Sequence, residues 1–62
     1  MKVREIIKLI ETDGWYRIKA RGGHRQYKHP VKRGRVTVPG RMSAELAPKT
    51  EKSILKQAGL EE

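Results

Sequence analysis

His24 follows Gly22 and Gly23 inside a segment, Gly14 to Ala44, that holds nine Lys or Arg and no Asp or Glu. Imidazole gains and loses a proton near neutral pH. Cations around it favour its neutral, basic form. The same cations hold an anion and stabilise charge that builds on it. That combination suits proton transfer on an anionic substrate, and RNA is the best candidate. A base that takes the proton of a ribose 2′-OH lets the oxygen attack the adjacent phosphate. The products are a 2′,3′-cyclic phosphate and a free 5′-OH. Help of this kind is worth about 10²–10⁴-fold. A magnesium route needs carboxylates, and the segment has none. The chemistry therefore reads as independent of metal and of any cofactor.

The elements that must place His24 follow from spacing. Val3, Ile6, Ile7 and Ile10 recur at i, i+3, i+4, i+7, which predicts an amphipathic helix without an evident N-cap. Gly14 ends that helix and Trp15 folds back onto Ile10. Residues 15–21 and 24–29 read as two strands joined by Gly22-Gly23, a pair that tolerates the positive φ of a two-residue turn. This turn pairs Arg21 with His24, Lys19 with Gln26 and Arg17 with Lys28 on one face. It pairs Ala20 with Arg25, Ile18 with Tyr27 and Tyr16 with His29 on the other. Ile18 and Tyr27 claim the buried side, so His24 stands on the open side with Lys19, Arg21 and Lys28. Trp15 reads as a residue of the cap and core. Residues 30–34 form a basic loop, residues 35–38 a third strand with Val36 and Val38 inward, and Pro39-Gly40 its end. Leu46 anchors a connector. A last helix starts near Pro48 to Thr50, buries Ile54, Leu55 and Ala58, and ends at Gly59 with Leu60 folded onto Leu55. The order α-β-β-β-α with short connections implies an α+β fold: a three-stranded antiparallel sheet with both helices on one face.

The whole chain, residues 1–62, reads as one domain. At this size only roughly 60% of the unfolded surface is buried, so the core is thin. The formal charge of +8 points to a polyanionic or acidic partner. There is no cysteine for a disulfide or a thiolate zinc site, and no apolar run that reads as a signal peptide or membrane span. A cytoplasmic protein without a membrane partner fits these features. Lys19, Arg21, Arg25 and Lys28, with the backbone of Gly22 and Gly23, are the candidate RNA contacts; such contacts position the backbone without reading bases. Lys32, Arg33 and Arg35 extend the basic track or meet acidic groups on a protein partner. His29 falls on the face away from His24 and precedes Pro30, so it reads as structural. The proton for the leaving oxygen must then come from a lysine, an arginine-bound water or bulk water, and a slow enzyme is expected.

The order and spacing of three blocks make the chain resemble a known family. They are Asp13-Gly14-Trp15, Gly22-Gly23-His24-Arg25-Gln26-Tyr27-Lys28-His29-Pro30 with Arg35-Val36-Thr37-Val38-Pro39, and Thr50-Glu51-Lys52-Ser53-Ile54-Leu55-Lys56-Gln57-Ala58-Gly59-Leu60. The family is the HicA-type toxins of toxin–antitoxin pairs, and the likeness covers nearly the whole sequence. The resemblance implies a double-stranded-RNA-binding-like fold and a ribonuclease that cleaves messenger RNA. It also implies His24 as the catalytic histidine and a HicB antitoxin that masks it. Gly23 stands where serine is frequent in the family. Two other functions fit the composition: a non-catalytic RNA-binding module of the same fold, and an interaction protein whose basic face meets an acidic one.

Overall fold

In a computed structural model, residues 1–21 and 24–60 are described. The apolar spacing near the N-terminus folds as α1, Val3–Thr12, with Val3, Ile6, Ile7 and Ile10 buried. The missing N-cap is supplied from a distance. The Val3 N–H donates to the Ala44 carbonyl (2.9 Å) and the Arg4 N–H to the Met42 carbonyl (3.0 Å). The Lys2 N–H donates to Glu5 Oε1 at 2.7 Å. The connector thus satisfies donors that a helix start leaves orphaned. Beyond Thr12, the Gly14 N–H reaches the Glu11 carbonyl and the Trp15 N–H the Ile10 carbonyl, with Gly14 at φ +113°. This is the glycine-ended helix cap expected from Gly14-Trp15.

Three strands follow: β1, Tyr16–Arg21; β2, His24–Lys28; and β3, Val36–Pro39. They form an antiparallel sheet in the order β1-β2-β3, so β2 is central. The chain closes with α2, Pro48–Gln57, which has Pro48 in its first turn. It ends as α1 does: the Leu60 N–H donates to the Leu55 carbonyl (2.9 Å) and the Gly59 N–H to the Lys56 carbonyl (3.1 Å). The core is Val3, Ile6, Ile7, Ile10, Trp15, Tyr27, Val36, Val38, Leu46, Ile54 and Ala58, so both helices pack with the Tyr27, Val36 and Val38 face of the sheet. The fold is the expected α-β-β-β-α arrangement.

The register differs from expectation in the outer half of the first hairpin. Arg21↔His24, Ala20↔Arg25 and Lys19↔Gln26 pair as read from the turn, but Arg17 faces Tyr27 and Tyr16 faces Lys28. A bulge between Arg17 and Lys19 takes up Ile18, which is 41% exposed rather than buried opposite Tyr27. The reason is that both ends of the strand are pinned. Trp15 is held at one end by the helix cap, by burial and by Nε1 donation to the Ala58 carbonyl at 3.2 Å. Pairing across the connection holds Arg21 at the other end. The strand carries one residue more than the ladder accepts, and a bulge absorbs it. Trp15 fills the core position that Ile18 was expected to take. Arg17 accordingly lies on the Tyr27 face and not on the open one with Lys28.

Candidate nucleic-acid interface

Residues paired across an antiparallel ladder share a face. Lys19 with Gln26, Arg21 with His24, and Tyr16 with Lys28 therefore stand together on the side away from the core, as do Thr37 and Pro39 opposite Gln26 and His24. His24 is exposed, as are Lys19, Arg21 and Lys28. Its cross-strand neighbours are Arg21 on β1 and Pro39 on β3. Directly opposed residues have Cβ atoms about 5 Å apart, so the Arg21 guanidinium can reach an anion seated at the imidazole. Gln26, two residues along β2, accepts from Arg35 Nη1 at 3.2 Å. That bond brings a fourth cation to the edge of this face. Arg25 goes elsewhere: it pairs with Ala20 and Val38 on the core side, and its Nη1 donates to the Gly40 carbonyl at 2.7 Å. The structure does not bring Arg25 to His24. Gly22 and Gly23, the expected turn and backbone contacts, lie outside the described residues.

Among the described residues three acids, which would oppose an RNA backbone if unpaired, are held in ion pairs. Asp13 takes Lys32 Nζ at 2.5 Å, which holds its carboxyl below the usual carboxylate range. Glu45 and Glu51 both take the Met1 ammonium, at 2.7 and 2.9 Å. Lys32 is thereby removed from the basic track: its Nζ also donates to the Ala58 carbonyl at 3.1 Å, at the end of α2. A cation there suits the negative end of the helix dipole.

His29 has the opposite surroundings to His24. Its Nδ1 accepts from the Val31 and Lys32 N–H groups, each at 3.0 Å. Its Nε2 must then carry the proton, and donates to the Asp13 carbonyl at 2.8 Å. The ring meets Trp15 edge-on, with centroids 5.2 Å apart. It ties the end of β2 to the end of α1 and starts the turn through residues 30–34. The structural reading of His29 holds, and the network that makes it so joins residues far apart in sequence.

A second group of residues at His24 escaped sequence reasoning. His24 opens onto a groove of about 350 Å³ whose other wall is α2, lined by Thr37, Pro39, Lys49, Thr50, Ser53, Ile54 and Gln57. Gln57 holds this wall to the sheet. Its Oε1 accepts the Thr37 N–H at 3.3 Å on the free edge of β3, and its Nε2 donates to Ser53 Oγ at 3.2 Å. The positive end of the α2 backbone dipole faces the same side as Lys49. Lys49, Thr50, Ser53 and Gln57 pass for an ordinary solvated helix face. One signal could have separated them: three short hydroxyl or amide side chains recur at helical spacing beside one lysine, with no acid among them. Among the described residues no group of three His, Asp or Glu side chains could hold a metal ion, and no helix is long and apolar enough to cross a membrane.

Comparison with known proteins supports the fold and gives a family. The family model described as HicA toxin of bacterial toxin–antitoxin matches residues 3–60. A solved structure described as a toxin–antitoxin complex from Streptococcus pneumoniae is similar, with a TM-score of 0.78 and 33% identity over 97% of this chain and 98% of that one. No curated relative matches the chain. With the fold, the outward histidine and a family match over nearly its full length, the chain belongs to the HicA family of toxins from bacterial toxin–antitoxin systems.

Proposed function

We propose that this chain is a metal-independent endoribonuclease that cuts messenger RNA, with His24 as the general base. The observation that carries the reading is the exposed imidazole of His24 opposite Arg21, on the face with Lys19 and Lys28 that is turned away from the core. The RNA backbone lies across that face on Lys19, Arg21 and Lys28. Gly22 and Gly23 contribute backbone N–H groups, and Arg25 is left to the rim beyond the turn. Neutral His24 takes the 2′-OH proton. Arg21 stabilises the charge that gathers on the phosphate oxygens as the 2′-oxygen attacks. The products are a cyclic phosphate and a 5′-OH.

The partner is an acidic surface of a HicB-type antitoxin that covers the same face and keeps RNA from His24. The similarity to a structure described as a toxin–antitoxin complex supports a protein partner of this kind. Toxin and antitoxin meet in the cytoplasm, where messenger RNA is found. The test is induced expression of wild type and His24→Ala with transcript integrity followed in both. The expected result is degradation by the wild type alone, with 5′-OH ends, and activity that persists in EDTA. Intact binding with no cleavage by wild type would favour the non-catalytic module. Cleavage that leaves 5′-phosphates, or that needs magnesium, would overturn the mechanism.

A further inference from the structure

The reaction above leaves one proton unassigned: the 5′-oxygen departs as an alkoxide unless an acid meets it. His29 cannot serve, because both its nitrogens are committed to backbone groups on the other side of the sheet. The groove beside His24 limits the remaining choices. Pro39 and Ile54 carry no acidic proton. The hydroxyls of Thr37, Thr50 and Ser53 are about as weak as acids as the leaving alcohol itself. The Gln57 amide is spent on the Thr37 N–H and on Ser53. Arg21 holds its proton throughout the accessible range. Lys49 is left. It lines the groove with His24, it is exposed, and among the described residues it enters no ion pair. Glu51, the acid of the same helical turn, is occupied by the Met1 ammonium.

We propose that Lys49 is the general acid of the reaction and that the groove between β2, β3 and α2 seats the nucleotide on the 3′ side of the cut. The inference rests on the ribonuclease reading. His24 accepts the 2′-OH proton and the 2′-oxygen bonds to phosphorus. The P–O5′ bond breaks, and the departing oxygen takes a proton from the Lys49 ammonium. The resulting amine regains its proton from water, and His24 returns its own, so no co-reactant is needed. Gln57 holds α2 against the edge of β3 and so sets the distance between base and acid; it is a positioning residue.

The test uses the full chain in single turnover and two RNAs that share one mapped cleavage site. One has the natural 5′-oxygen there. The other has a bridging 5′-sulfur, whose thiolate leaves without a proton. Lys49→Ala and Lys49→Arg are expected to slow the oxygen substrate about 10²-fold, the lower end of acid–base effects, and to cut the sulfur substrate at the wild-type rate. The arginine variant matters because it keeps the charge but cannot give up its proton. His24→Ala should lose both substrates. Equal slowing of both linkages, or full activity of Lys49→Arg on oxygen, overturns the assignment. A wild-type chain that cuts neither linkage ends the ribonuclease reading and this assignment with it, whereas loss confined to the oxygen linkage supports both.

Discussion

One histidine opens β2 and the other directly follows it, and the pair shows what makes an imidazole structural or reactive. His29 is enclosed by Trp15, Gly14 and the carbonyl of Asp13, with both nitrogens bonded and its tautomer set. His24 stands exposed between Arg21 and Pro39 and lines a groove. The residue type is the same, and only the four residues between them in β2 separate the two. Face decides the difference: the pleat sends His24 to the side of the sheet away from the core, and the end of the strand delivers His29 to the seam between sheet and α1. A half-buried, fully bonded ring gives a fold its local geometry. An exposed ring is available to a substrate.

The sharpest way to break this contrast is to truncate each ring. His24→Ala is expected to lower RNA cleavage by about 10²–10⁴-fold, the range of acid–base help, while thermal unfolding stays where it was, since exposed substitutions cost within about 0.5 kcal/mol. A large fall in melting temperature in that variant would erase the distinction. Gly14→Ala attacks the other site next hardest. A Cβ there would come within 2.8 Å of His29 Nε2, on a backbone at φ +113°. The strain alone costs about 1–3 kcal/mol, read by denaturant melts, and displacement of the ring adds to it. His29→Ala should cost about 1–3 kcal/mol by removing the bonds from the Val31 and Lys32 N–H groups and to the Asp13 carbonyl. Cleavage per folded molecule should be unchanged. The double variant should cost less than the two single variants added together, because both act through one ring; full additivity would show that Gly14 acts by backbone strain alone.

The smallest effects are electrostatic. The Met1 ammonium, bonded to Glu45 and Glu51, is pushed up to about 10. A raised value means that its stabilisation is complete below pH 8 and fades as the pH passes about 10. Asp13 is lowered by the Lys32 ammonium. Its contribution is present at neutral pH and fades on acidification below the usual carboxylate range. Melting temperature followed against pH should therefore fall gently at both extremes, since exposed pairs are well screened. Acetylation of the amino terminus should flatten the alkaline limb, and Asp13→Asn the corresponding part of the acid limb.

How much was legible depended on distance along the chain. Both helix ends were readable because Gly14-Trp15 and Gly59-Leu60 close their caps within a few residues. The inner hairpin register was readable because two residues join the strands and pleating alternates the faces. The outer register was not. It required knowing that Trp15, held by the Ala58 carbonyl 43 positions later, would outcompete Ile18 for the core. The start of α1 was obscure for the same reason, since its donors are met by the carbonyls of Met42 and Ala44.

The amino-acid sequence alone determined the α-β-β-β-α order, the outward stance of His24 and the absence of acids around it, because each follows from local periodicity, turn chemistry and composition. Tertiary structure alone decided that α2 lies against the free edge of β3 and walls the groove at His24. It alone also decided that Lys32 leaves the basic track for Asp13 and the end of α2, and that Arg25 turns to Gly40. These are contacts between segments whose separation no period or spacing encodes, and they are selected by which packing of a thin core leaves the fewest polar groups unpaired.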